Sequence, residues 1–218
     1  MTTTVERPWV REMVVVHRVF RRESRNLPLA VAACRPGDTA RAAFLAGMAR
    51  GYIKGLHDHH TGEDELLWPK LLARVDLDAD MVLRMEQQHH VVAEGLGRVE
   101  HALAAWERTA GAAERDALVA ELHRHRADLL VHLDEEEQHV LPLIHEHMTV
   151  QEWNELSEHS RAKTPKDQLL FVLGALLEEA TPDETARFMA LLPTAARLAY
   201  RLFGKRAYDK RMREVRTA

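Results

Sequence analysis

Two stretches of this chain repeat one arrangement of side chains able to grip a cation. His59 is followed by Glu63 and Pro69, and His132 is followed by Glu136 and Pro142. Residues four apart on an α-helix stand one above the other, so each pair aims an imidazole and a carboxylate at one spot. Histidine is the compositional outlier, at 14 residues. Two further histidines keep the period, because 72 residues separate His17 from His89 and 73 separate His59 from His132. An isolated inward histidine is usually a hydrogen-bonded core residue, but repetition at this interval reverses that reading. The candidate ligands are therefore His17, His59, Glu63, His89, His132 and Glu136. Six mixed nitrogen and oxygen donors exceed the four of one zinc and point to a dinuclear centre, with iron the metal that suits both donor types. Tyr52 and His125 precede His59 and His132 by one heptad, and His60 adjoins His59. These three are read as further donors or as hydrogen-bond partners behind the ligands.

The elements that must position these donors are helices. Apolar residues recur every three or four positions and strict alternation is nearly absent, so the fold class is all-α. A first helix is expected from Pro8, with Val10, Met13, Val14, His17 and Phe20 on one face, ending at Pro28 or before Arg35-Pro36-Gly37. Asp38 caps a second, carrying Ala42, Leu45, Met48, Tyr52, Leu56, His59, Glu63 and Leu66 inward and closing near Trp68-Pro69. After the acidic connector Asp76 to Asp80, a third carries Met85, His89, Val92, Leu96, Val99 and Leu103. Beyond a connector from Thr109 to Ala112, a fourth carries Leu118, Leu122, His125, Leu129, His132, Glu136, His139 and Leu143. Each half is a helical hairpin that cannot bury its apolar face alone, so two pair into a four-helix bundle over residues 1–148. Residues 149–218 are expected to form a helical extension, with starts at Thr149-x-x-Glu152, Thr164-Pro165 and Thr181-Pro182-Asp183-Glu184 and breaks at Pro193 and Gly204. It packs on the bundle or joins subunits, as a homodimer or with a partner protein.

Composition narrows the function classes. The 218 residues are 46% apolar and 29% charged with a net charge of −4, both signs interspersed, which gives no case for a nucleic-acid or membrane partner. The basic stretch from Arg197 to Arg216 is read as a solvated surface helix. The one cysteine, Cys34, excludes an intramolecular disulfide and fits a reducing compartment. No secretory leader is expected, and the longest apolar run, Leu169 to Leu177, is far short of the roughly 20 residues of a membrane span, so a cytoplasmic location is expected. No Ser-His-Asp set, phosphate-cradling glycine loop or Cys-x-x-Cys pair offers another chemistry, which leaves catalysis to the metal.

The doubled His-x-x-x-Glu with its following Pro, together with single histidines on helices one and three, resembles the hemerythrin-like HHE cation-binding family over roughly residues 8–147. The later Pro-punctuated helices, with Glu152-Trp153, resemble an extension seen in actinobacterial members. The resemblance implies an antiparallel four-helix bundle holding two iron ions, bridged by the two glutamates and an oxo or hydroxo group. Oxygen-carrying members have a second histidine four residues after the helix-three ligand and an aspartate five after the helix-four histidine. Here those positions are Ala93 and Glu137, so one imidazole is missing unless His60, Tyr52, His125 or water fills the gap. The departure shifts the expected function from oxygen carriage toward reaction with a small oxidant (O2, peroxide or nitric oxide), including a catalase- or peroxidase-like activity. A sensing module that signals through the extension is the alternative. A ferritin-like carboxylate site built on Glu86-x-x-His89 and Glu136-x-x-His139 is a lesser one, since the position matching His139 in the first half is Leu66.

Overall fold

The computed structural model describes residues 6–75 and 79–217, and among these every regular element is helical. Most of the acidic connector, residues 76–78, lies outside the described residues. Four long helices build the bundle: α1 (Arg11–Ala32), α2 (Thr39–Leu66), then, after the short α3 (Trp68–Leu72), α4 (Ala79–Thr109) and α5 (Ala112–Glu135). Asp38 caps α2 by accepting the Arg41 N–H at 2.9 Å. α1 runs straight through Pro28. An interior proline costs about 3 kcal/mol, and the burial of Leu27 and Val31 on either side offsets it.

The inner faces follow the expected periodicity with small changes of phase. Val15 rather than Val14 is buried on α1, and Ala49 rather than Met48 on α2. The fourth helix departs further, since it does not continue as a plain α-helix past Glu135. Residues Glu136–Val140 form a π-turn, closed by the Leu141 N–H donating to the Glu136 carbonyl, before α6 (Leu141–His147). The extra residue in that turn rotates the next stretch of helix, so Val140, Leu141 and Ile144 face the core while His139, expected inside, is exposed. This removes the Glu136-x-x-His139 pair from any shared site. The repeated prolines have matching places, Pro69 and Pro142 both sitting in the first turn of a short helix, α3 and α6.

The remaining helices are α7 (Val150–Lys163), α8 (Leu169–Glu179), α9 (Pro182–Leu191), α10 (Thr194–Ala199) and, after a second π-turn at Tyr200–Gly204, α11 (Lys205–Arg216). Capping boxes open α7 at Thr149 with Glu152 and α9 at Thr181 with Glu184. The start expected at Thr164-Pro165 moves to Leu169, because Thr164 closes α7 and turns come after it. α7 packs Trp153 and Leu156 into a cluster with Met13, Leu67 and Trp68. The half-buried Glu12 carboxylate accepts from Trp153 Nε1 and Ser157 Oγ, both at 3.2 Å. α8 and α9 are held to α1 by Arg22, 2.8 Å from Glu178, and by Arg18, 2.8 Å from Glu184. α11, expected to lie solvated, buries Tyr208, Met212 and Val215 and keeps its basic residues outward. Among the described residues no helix is long and apolar enough to cross a membrane.

Candidate metal centre

All four long helices bring donors to one end of the bundle. His17 comes from α1, His59, His60 and Glu63 from α2, His89 from α4, and His132 and Glu136 from α5 and its π-turn, all buried. They form two sets whose donor atoms lie within 4.8 Å of one another: His17, His59, Glu63 and Glu136, and His60, Glu63, His89 and His132. Glu63 belongs to both. Its Oε1 is 3.5 Å from His59 Nε2 and its Oε2 is 3.6 Å from His89 Nε2, so one carboxylate reaches into each set. Glu136 Oε2 likewise lies 3.3 Å from His17 Nε2 and 3.6 Å from His132 Nε2.

The sequence-predicted six are thus assembled, and His60 joins them as a fifth imidazole. Neighbours on a helix point about 100° apart. This lets His59 turn toward His17, with ring centres 5.4 Å apart, while His60 stacks on His89 at 4.0 Å. Ala93, the position of the second helix-three histidine in oxygen carriers, is exposed, and His60 supplies the imidazole that it lacks. Tyr52 and His125 stand outside both sets and bond to each other, Oη to Nε2 at 2.7 Å.

Three residues to which the sequence reading gave no supporting role hold the rings from behind. His17 Nδ1 is 3.0 Å from Glu137 Oε1, His89 Nδ1 is 2.7 Å from Asp64 Oδ1, and His132 Nδ1 is 3.2 Å from Gln88 Oε1. A partner that accepts from Nδ1 places the proton there and turns the Nε2 lone pair toward the centre. Asp64 and Glu137 occupy equivalent positions of the repeat, each just after the inner glutamate, and each supports the single histidine of the other hairpin. That was the signal available in the sequence.

The electrostatics suit a cation. Both oxygens of Glu63 and of Glu136, and Nε2 of His60, His89 and His132, are buried without a hydrogen-bond partner. Buried polar atoms are otherwise nearly always satisfied, so a cluster of them converging on one point fits metal ions in place of the missing partners. Burial, with Glu136 and Asp64 nearby, pushes the Glu63 carboxyl well above the usual range. Glu136 is held low because His17, His132 and His59 outweigh the opposing effect of burial. Burial also pushes His59 and His60 well below the usual imidazole value and His132 down to about 3, which keeps these rings in the neutral form that binds metals.

A four-helix bundle with imidazoles and carboxylates meeting in its core defines a metal-binding helical protein. The family model of the hemerythrin HHE cation binding domain matches residues 10–144, and the chain belongs to that family. Neither curated proteins nor solved structures gave a match to it.

Proposed function

We propose that this chain is a di-iron protein that binds and reduces a small oxidant, with peroxide as the substrate to be tested. The observation that carries the reading is the pair of donor sets sharing Glu63. His17, His59 and Glu136 would hold one ion, His60, His89 and His132 the other, with Glu63 reaching both. Imidazole mixed with carboxylate suits non-haem iron, and a bound iron pair supplies one-electron redox steps and an open position for a small ligand. Glu137, Asp64 and Gln88 hold the rings in register. Trp68, fully buried with its ring centre 5.7 Å from that of His89, shields this part of the bundle from water.

Metal analysis with optical spectroscopy tests the reading. About two iron per chain and a near-ultraviolet charge-transfer band are expected, together with peroxide consumption that Glu136→Ala abolishes. One zinc and no colour would overturn it. A sensing role is favoured by one contact: Leu156 of α7 lies against Gly62, where a Cβ would come within 3.0 Å of it, beside Glu63 on the donor helix. Protease sensitivity of residues 149–218 that changes with iron oxidation state, without turnover, would select that role instead.

A further inference from the structure

Tyr52 and His125 sit in the bundle core one heptad from the donors, with 7% and 1% of their surface exposed. Tyr52 belongs to the core cluster that holds Leu56, Leu96, Leu122 and Leu129, with Glu23 and Arg126 close enough to act on Tyr52 and Arg98 on His125. Packing does not require a polar pair here. A phenylalanine and a leucine would fill the same space, whereas the present pair leaves His125 Nδ1 with no partner at all. Gly95 of the opposite helix faces the imidazole, and a Cβ there would lie 3.4 Å from His125 Nδ1, in ordinary contact. The pair also has an aromatic connection to the metal centre. Phe20 meets the Tyr52 ring edge-on at 6.2 Å and the His59 ring at 5.1 Å, and His59 is one of the donors.

We propose that Tyr52 is a redox-active tyrosine that passes an electron to the metal centre by way of Phe20 and His59 and hands its phenolic proton to His125 Nε2. The inference rests on the peroxide-reducing reading of the centre. Reduction of hydrogen peroxide to two waters takes two electrons and two protons. Tyr52 supplies one electron, the iron pair supplies the other, and both protons come from solvent. At Tyr52 the O–H bond breaks and an N–H bond forms on His125, leaving a neutral phenoxyl radical beside an imidazolium. Two molecules of a thiol-class reductant close to a disulfide and return both electrons, one to the phenoxyl and one to the iron pair, releasing two protons to solvent, and His125 returns its proton to Tyr52. The resting states suit this exchange. Burial, with Arg98 adding to it, holds the His125 imidazole down at about 4, so Nε2 offers a lone pair at neutral pH. Burial raises Tyr52, so the phenol keeps its proton until the electron leaves.

The test is frozen-solution electron paramagnetic resonance of the iron-loaded full-length protein, quenched after mixing with hydrogen peroxide, with peroxide consumption followed in parallel. A tyrosyl signal is expected. Of the three tyrosines in the chain, Tyr52→Phe should abolish it, while Tyr200→Phe and Tyr208→Phe leave it in place. His125→Leu should cut the radical yield on the order of tenfold or more, since the proton then has no acceptor. Absence of the signal in the unaltered protein, or its survival in Tyr52→Phe, overturns the proposal. A protein that takes up iron and consumes peroxide without the signal keeps the functional reading and loses this one. A protein that does neither loses both.

Discussion

Replacing Glu63 by glutamine should strengthen the metal-free protein and cripple the metal-loaded one. Glu63 has no exposed surface and neither of its oxygens has a hydrogen-bond partner. Without a cation, the folded chain either buries a charge or takes a proton from solvent. Because the folded carboxyl is raised above its ordinary value of 4.5, the folded state binds more protons than the unfolded one once the pH exceeds 4.5. Stability then falls as pH rises, at up to about 1.4 kcal/mol per unit. Proton uptake caps the penalty, so at pH 7 it cannot exceed about 3 kcal/mol. Glutamine has nearly the same shape and no charge, and it should recover about 1–3 kcal/mol of that penalty. Urea unfolding of chelator-treated protein measures the difference, which should vanish at pH 4.5 and below. With iron present the order reverses, because the variant loses the carboxylate common to both donor sets. A metal-free Glu63→Gln protein no more stable than the parent at pH 7, or one whose gain persists at pH 4.5, would refute the reasoning.

The same geometry sets three further outcomes. His60→Leu removes one of three imidazoles from the second donor set, and metal analysis should find iron falling toward about one per chain with the helical circular dichroism unchanged. Glu137→Gln weakens the support behind His17 and should cost about 10–100-fold in iron affinity, read by competition with a chelator. Glu152 is held at about 2 by the bidentate Arg74 guanidinium, with Thr149 of its capping box adding. Its depressed value contributes stability that is present above the ordinary value of 4.5 and lost as pH falls toward 2. Glu152→Gln should therefore cost up to about 1 kcal/mol at pH 7, small because the pair is at the surface, and nothing at the acid end of that window, as urea unfolding at the two pH values would measure.

The sequence firmly marked the donors that recur, and marked His60, which does not recur, only as a possible one. His17, His59, Glu63, His89, His132 and Glu136 announce themselves because a hairpin is repeated and each half repeats its chemistry. His60 escapes that test, since its counterpart one repeat later is Leu133, a fully buried core residue. Its role depends on where α2 lies between α1 and α4, which one-helix periodicity does not contain. The π-turn was equally hidden, because a local change of helical pitch leaves no mark on residue type, and the reading of His139 as inward failed for that reason alone. Asp64 and Glu137 could have been found, as both follow the inner glutamate at the same step of the repeat. The extension was legible at its capping boxes, where Thr149 and Thr181 pair with a glutamate three residues on, but not in its docking. The amphipathic face of α11 carries too many charges for Tyr208, Met212 and Val215 to stand out as buried.

The surplus residue at Glu136–Val140 leaves the chain's last bundle segment dependent on a single insertion. Excision of the exposed Gln138 would let that stretch relax to ordinary pitch and leave everything from Val140 to His147 facing as it does now, because a π-turn takes up its extra residue locally. Leu141 and Ile144 would keep their places in the core, whereas ordinary pitch with all residues retained would turn them away from it by about 100°. A chain without the extra residue would fill the same end of the core from positions one step nearer Glu136, so rigid-spacing alignments across this point would match residues that do not share a place in space.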